Sequence, residues 1–239
     1  MQKAIGKMCK KLRIGNVIAQ NYQNIQAESH EEFLYKILQC AVEDREINRK
    51  NRLLKQASFP VFNTFENYSF EDIQVPDKLS INELKQGEFV SRNENLILYG
   101  GVGVGKTHMA TAIGVNLVNR GKKVKFYKTP TLVNRLSEAK KKGELGVLLN
   151  KIKRADLIIL DEWGYIPLDN QGAQLLFQIV ADFYEKKSVI ITTNLDFNSW
   201  NSIFYDEKLT AAIIDRLVHH SHLIIFNGKS YRLKNSLMK

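Results

Sequence analysis

Lys106 and Thr107 stand directly behind a run of glycines at positions 100, 101, 103 and 105. The spacing Gly100-x-x-x-x-Gly105-Lys106-Thr107 is the Walker A pattern, and each residue type has a physical reason. Glycine lets the backbone curl through positive φ, so that the N–H groups of Gly101, Val102, Gly103, Val104 and Gly105 form a nest for phosphate oxygens where a helix begins. Lys106 supplies a mobile positive charge for the outer phosphates, the Thr107 hydroxyl is a ligand for Mg²⁺, and His108 ends the nucleotide-binding stretch before a helix-compatible run. A second pair lies further on: Asp161 and Glu162 end the apolar run Leu157-Ile-Ile-Leu160. Acids at the carboxyl end of a buried strand lie where open α/β sheets bind ligands. With Lys106 and Thr107 upstream they form the Walker B counterpart: Asp161 completes the Mg²⁺ shell and Glu162 orients or deprotonates a water. Thr192-Thr193-Asn194 ends the next apolar run, and the Asn194 amide could hold the same water or simply make an Asx turn.

These residues need a sheet to hold them. Leu96–Tyr99 reads as a strand running into the glycine loop, and Met109 onward as its helix. Lys122–Lys128 alternates charged and apolar residues, and Leu157–Leu160, Val189–Thr192 and Leu223–Phe226 are apolar runs of strand length. Helical patterns fill the gaps over Thr131–Lys142, Leu145–Arg154, Gly172–Tyr184 and Leu209–Val218. Alternation of this kind predicts an α/β domain over residues 93–239, with a five-stranded parallel sheet covered by helices on both faces. Upstream, Phe59, Phe62, Phe65, Tyr68 and Phe70 crowd into twelve residues with Pro60. That texture excludes a regular helix and predicts a linker over 57–92 pinned to the domain, closing with a helix over 78–92. Residues 1–56 form a helical arm. Ser29-His30-Glu31-Glu32 has capping-box spacing, so a helix should begin near Glu31.

Composition narrows the partners. The 239 residues carry 35 Lys and Arg against 25 Asp and Glu, a formal net charge of +10. Between Arg120 and Arg154 there are twelve Lys or Arg and only Glu138 and Glu144 as acids, an excess equal to that of the whole chain. Lys128, Arg135, Lys140, Lys141, Lys142, Lys151, Lys153 and Arg154 form a face that would grip phosphates without reading bases, and duplex DNA is the expected partner. Cys9 and Cys40 suggest neither a disulfide framework nor a zinc site. No apolar run has the length of a membrane span, and a reduced cytoplasmic setting is expected. His219-His220-x-His222 invites a metal reading, but no Cys, Asp or Glu stands near it at ligand spacing.

Taken together, several blocks resemble the IstB family, the helper ATPases of bacterial insertion-sequence transposition, in the AAA+ initiator clade that includes the helicase loader DnaC. They are the glycine loop through His108, Asp161-Glu162-Trp-Gly-Tyr-Ile-Pro-Leu168, Ser188-Val-Ile-Ile-Thr-Thr-Asn194, Ala212–His222 and Asn227–Asn235. The resemblance implies an AAA+ P-loop three-layer sandwich that binds ATP and Mg²⁺, oligomerises on duplex DNA with little sequence preference, and stimulates an IstA-like transposase. It makes Asn194 the sensor 1 residue and Arg216 an arginine finger acting on a neighbouring copy's ATP. Arg232 falls where sensor 2 would stand, although too little chain follows the fifth strand for the full C-terminal lid that usually carries it. The basic segment 131–154 matches the insertion that lines the DNA path, and Phe65–Phe70 occupies the place where such modules cover adenine. A DnaC-like helicase loader is the alternative, since it would share the Phe65-Glu-Asn-Tyr linker and the Asp215-Arg216 helix. A DNA-coating protein that binds ATP without hydrolysing it is a third reading, against which Glu162 argues.

Overall fold

The computed structural model describes residues 1–204 and 206–234. Asn235, at the end of the last motif, lies outside them. The chain divides into two compact units, Met1–Leu53 and Leu54–Lys239.

The first unit is helical. Helix α1, Gln2–Leu12, places Lys10 and Lys11 in its last turn, where cations favour the negative end of the helix. It packs on α2, Val17–Asn21, with Cys9 and Ala19 buried. Helix α3, His30–Ala57, begins one residue earlier than the capping pattern suggests. The Ser29 hydroxyl accepts from the Glu32 N–H at 3.1 Å, and the Glu32 carboxylate reaches back to the Glu28 N–H at 2.7 Å.

The second unit is built on six strands rather than the expected five, and they are not all parallel: β1 (Ile73–Gln74), β2 (Asn95–Gly100), β3 (Val124–Lys128), β4 (Leu157–Trp163), β5 (Ser188–Thr193) and β6 (Ser221–Phe226). Their order is β1-β6-β2-β5-β4-β3. The extra strand is the end of the aromatic linker, which pairs antiparallel with β6 through Ile73 opposite Phe226 and Gln74 opposite Ile225. Two residues are too few to show alternation, so the pairing follows from the linker's anchoring and not from a local pattern. That anchoring is aromatic: Phe59 meets Phe126 edge to face at 6.4 Å.

Helices α4 (Ile81–Gln86), α5 (Lys106–Asn119), α6 (Thr129–Lys141), α7 (Leu145–Lys153), α8 (Asn170–Phe183), α9 (Asn201–Phe204), α10 (Glu207–His219) and α11 (Tyr231–Lys234) complete the unit. The single helix expected over 78–92 is interrupted at Gly87, which takes φ +71° and caps α4 before a 3₁₀ segment, Glu88–Arg92. Pro130 opens α6 and leaves β3 intact, because its missing N–H is harmless in a first helical turn. Side chains of Asp169 and Asp206 cap α8 and α10 by accepting from Gly172 and Leu209.

The core sits between α6, α8 and α10 and the central strands. Leu157, Ile158, Ile159 and Leu160 are wholly buried. Each such side chain contributes about 1.5–3 kcal/mol relative to an exposed one, so this strand is fixed in register. Trp163, Trp200 and Phe204 pack beneath its end, with Trp163 and Trp200 5.3 Å apart. What this positions is the carboxyl edge of β2, β5 and β4, where Lys106, Thr107, Asp161 and Glu162 lie.

Candidate nucleotide site

Strand order decides which side chains meet. Because β5 lies between β2 and β4, the ends of three strands converge beside the start of α5. Thr107 Oγ donates to Asp161 Oδ1 at 2.8 Å, joining residues 54 positions apart. Thr192 Oγ donates to the same oxygen at 2.5 Å. Asp161 is only 3% exposed, yet two hydroxyls satisfy it. A buried carboxylate held by two small hydroxyls is a hard, oxygen-only donor set that fits Mg²⁺.

The glycine loop is a cradle. Gly103 takes φ +81° and Gly105 φ +102°, conformations costly for any side chain. A Cβ on Gly103 would collide with Ser230, and one on Gly105 would press on the Tyr68 hydroxyl. Lys106 Nζ turns back into the loop, donating to the Gly100 carbonyl at 2.7 Å and the Gly101 carbonyl at 2.5 Å. Burial lowers the Lys106 pKa and Arg232 adds to the effect, while Asp161 opposes it. A desolvated ammonium held only by carbonyls is well placed to exchange them for phosphate oxygens. Val102 and Gly101 are exposed at the loop's tip, and Val104 is half-buried.

Two flanking segments close on the loop. On one side Tyr68 lies 4.9 Å from the His108 ring, and His108 Nε2 sits 2.8 Å from the Thr64 carbonyl. Phe65, Tyr68 and Phe70 form one cluster, with Lys85 Nζ 4.8 Å above the Phe70 ring. On the other side the Tyr231 N–H donates to the Gly103 carbonyl at 3.0 Å. This brings Arg232, exposed on α11, within electrostatic reach of Lys106.

Glu162 departs from its neighbours. It interrupts the β4–β5 register in a bulge and takes φ +61°, unusual for a residue with a side chain. Its N–H donates to Thr192 Oγ at 3.1 Å, and its carboxylate is held by Lys128 Nζ at 2.7 Å. The hydrogen bond that Lys128 donates to Glu162 raises the Lys128 pKa.

The remaining candidates are Asn194, Arg216 and the basic face. Asn194 is exposed just beyond β5. Arg216, on α10, stacks over the Phe177 ring at 4.9 Å and donates to the Ala212 carbonyl; no ion pair with Asp215 occurs among the described residues. Of the basic face, Lys128, Arg135, Lys140, Lys141, Lys142, Lys151, Lys153 and Arg154 are all exposed. Lys153 pairs with Asp182 at 2.9 Å, and the field of Lys151 adds to burial in lowering the Lys125 pKa. Thr192, Ser230 and the Lys128–Glu162 pair had no local signal in the sequence.

The family model of the IstB-like ATP binding protein matches residues 9–239. The chain belongs to this family. Among the family's relatives, the IS21 ATP-binding protein named from Pseudomonas aeruginosa is 40% identical over 86% of this chain and 78% of its own length. The corresponding IS5376 protein of Geobacillus stearothermophilus is 33% identical over 100% of this chain and 97% of its own. The fold resembles that of AMPPCP-bound DnaA from Aquifex aeolicus, with a TM-score of 0.55 and 21% identity over 71% of this chain and 51% of that one. The crystal structure of DnaI gives the same TM-score, at 20% identity over 71% of this chain and 90% of that one. The IstB-like chain therefore has an α/β fold like that of DnaA and DnaI. Among its described residues no helix is long and apolar enough to cross a membrane.

Proposed function

We propose that this IstB-like chain is a Mg²⁺-dependent ATPase that assembles on duplex DNA and engages an IstA-type transposase in bacterial insertion-sequence transposition. The observation that carries the reading is the junction of Thr107, Thr192 and Asp161 beside the Lys106 loop. Thr107 and Asp161 would hold Mg²⁺, which when bound supplies positive charge to the phosphates. Gly100–His108 cradle the phosphate groups through backbone N–H groups, and Lys106 leaves its two carbonyls to bind them. The Phe65–Tyr68–Phe70 cluster offers an apolar face for the base. Glu162 accepts the proton of the attacking water once its carboxylate is free of Lys128, and Asn194 orients that water. Arg216 completes the site of a neighbouring copy, and Arg232 adds charge at its own loop. The basic surface of α6 and α7 tracks DNA phosphates, whose charge relieves the crowding of like charges there.

Steady-state ATP hydrolysis against protein concentration, with and without duplex DNA of arbitrary sequence, tests the proposal. Stimulation by any duplex, lost as salt rises and steeper than linear in protein, is expected. A rate linear in protein and indifferent to DNA would overturn it. Glu162→Gln should keep nucleotide and DNA binding while turnover falls by about 10²–10⁴; native turnover in that variant would remove Glu162 from its role.

A further inference from the structure

The three histidines near the end of α10 have different fates. His222 enters β6, where its Nε2 lies 3.0 Å from Glu94 Oε2 with the side chain only 15% exposed. His219 closes α10 and His220 caps it, both open to solvent. The turn between α8 and β5 brings Glu185 to them, across 35 residues of sequence. Glu185 Oε1 is 3.1 Å from His220 Nε2 and 4.0 Å from His219 Nδ1. One ligand atom from each of the three residues falls within 4.8 Å of the others. They lie at the amino ends of β5 and β6, the opposite edge of the sheet from Asp161.

The backbone holds two of these groups in place. Glu185 takes φ +56°, and its carbonyl accepts from Asn93 Nδ2 at 3.2 Å. The His220 carbonyl accepts from the Asn95 N–H at 2.7 Å. Both ligands are thus anchored to the same few residues that lead into β2. Tetrahedral bonds of about 2.0–2.2 Å place neighbouring ligand atoms about 3.3–3.6 Å apart. The observed 3.1 and 4.0 Å bracket that spacing, and small rotations of exposed side chains close the difference.

We infer that Glu185, His219 and His220 form a binding site for a transition-metal dication of the Zn²⁺ class, independent of the nucleotide site. Two imidazoles and a carboxylate suit Zn²⁺, Co²⁺, Ni²⁺ or Cu²⁺ and select against Mg²⁺, which prefers oxygen alone. Three protein ligands leave a position for water. The negative end of α10 adds a favourable field, as does Asp215 one turn before His219. The Tyr184 hydroxyl, 3.0 Å from His219 Nδ1, must yield that nitrogen or move to an outer position. The bound ion ties the end of α10 to the turn before β5, three residues beyond Arg216.

Titration of the untagged full chain with Co²⁺ in excess Mg²⁺, read by the visible d–d absorption, tests the site. One equivalent of Co²⁺ should bind, be displaced by Zn²⁺, and be released as the imidazoles protonate at low pH. Glu185→Gln, His219→Ala and His220→Ala should each weaken binding by about tenfold or more, and His222→Ala should leave it unchanged. Unfolding temperatures in EDTA equal to the parent's would assign the loss to ligation and not to folding. Absence of the one-equivalent band would overturn the inference. Undiminished binding in a Glu185→Gln/His220→Ala double variant would do the same, as would a loss in His222→Ala equal to that in His220→Ala.

Discussion

Lys128 Nζ holds Glu162 Oε1 at 2.7 Å, so a lysine of the basic face restrains the carboxylate that would take a proton from water. The contact exists because β3 pairs with β4 in register, with Lys128 opposite Asp161. Lys128 is 52% exposed and Glu162 34%. An ion pair this open to water contributes under about 1 kcal/mol, little enough for DNA phosphates to compete for the lysine. Lys128→Ala should therefore raise DNA-free ATP turnover by up to about fivefold and shrink the stimulation given by duplex DNA. Turnover assayed without and with a saturating duplex decides it; lower basal turnover with full stimulation would mean that Lys128 assists the chemistry and does not restrain it.

The difference between Lys106 and Lys128 shows which contacts a sequence discloses. Lys106, Thr107 and the glycines lie on one continuous strand, loop and helix, so spacing alone brings them together. Asp161 is legible because burying a strand that ends in acids is costly unless those acids face a ligand-binding edge. The partners of those acids are not legible. Thr192 reaches Asp161 only because β5 inserts between β2 and β4, and Glu185 reaches His220 only because β5 and β6 begin at the same edge of the sheet. Sheet order is a tertiary outcome that no local window encodes. Strand β1 escapes for another reason: two residues carry no periodicity.

Lys140, Lys141 and Lys142 follow one another at the end of α6, exposed and without an ion-pair partner among the described residues. Each phosphate neutralised on duplex DNA adds about 0.9 to the slope of log affinity against log salt. Replacing all three by Ala should reduce that slope by roughly 2–3 and weaken every duplex equally. Fluorescence anisotropy across a salt series measures it. A slope identical to the parent's would remove these three lysines from the proposed DNA contact.

Glu94 gives the fold an acid-side dependence. Burial pushes its carboxyl upward, but hydrogen bonds from His222 and Arg92 outweigh it and hold the pKa below the ordinary value. A carboxyl lowered in the folded state contributes stability that is present above its unfolded pKa and is lost as pH falls through its folded one. The unfolding temperature should drop as pH is lowered through the carboxylate range. Glu94→Gln should reduce the part of that drop this pair supplies, about 1 kcal/mol or roughly 2–4 °C. Thermal melts at neutral and acid pH, parent against variant, give the comparison; parallel curves would remove Glu94 from the acid response.

Arg216 is the candidate that cannot act where it stands. It lies near the end of α10, half-buried against Phe177, whereas Asp161 stands in the carboxyl half of β4, toward the opposite edge of the sheet. If it serves a neighbouring copy, Arg216→Ala should reduce turnover by about 10³-fold or more, the usual worth of an arginine supplied to a phosphoryl site. Lys106→Ala should be inactive for its own reason, the loss of phosphate binding. Mixed in equal amounts, the two variants would regain activity at up to about one quarter of head-to-tail interfaces, those where an intact loop meets an intact arginine. Arg216→Lys should not substitute, because an ammonium lacks the planar fork of donors. Turnover of the mixture against each variant alone is the measurement. No recovery on mixing would leave Arg216 a packing residue for Phe177, and the shared site would have to be abandoned.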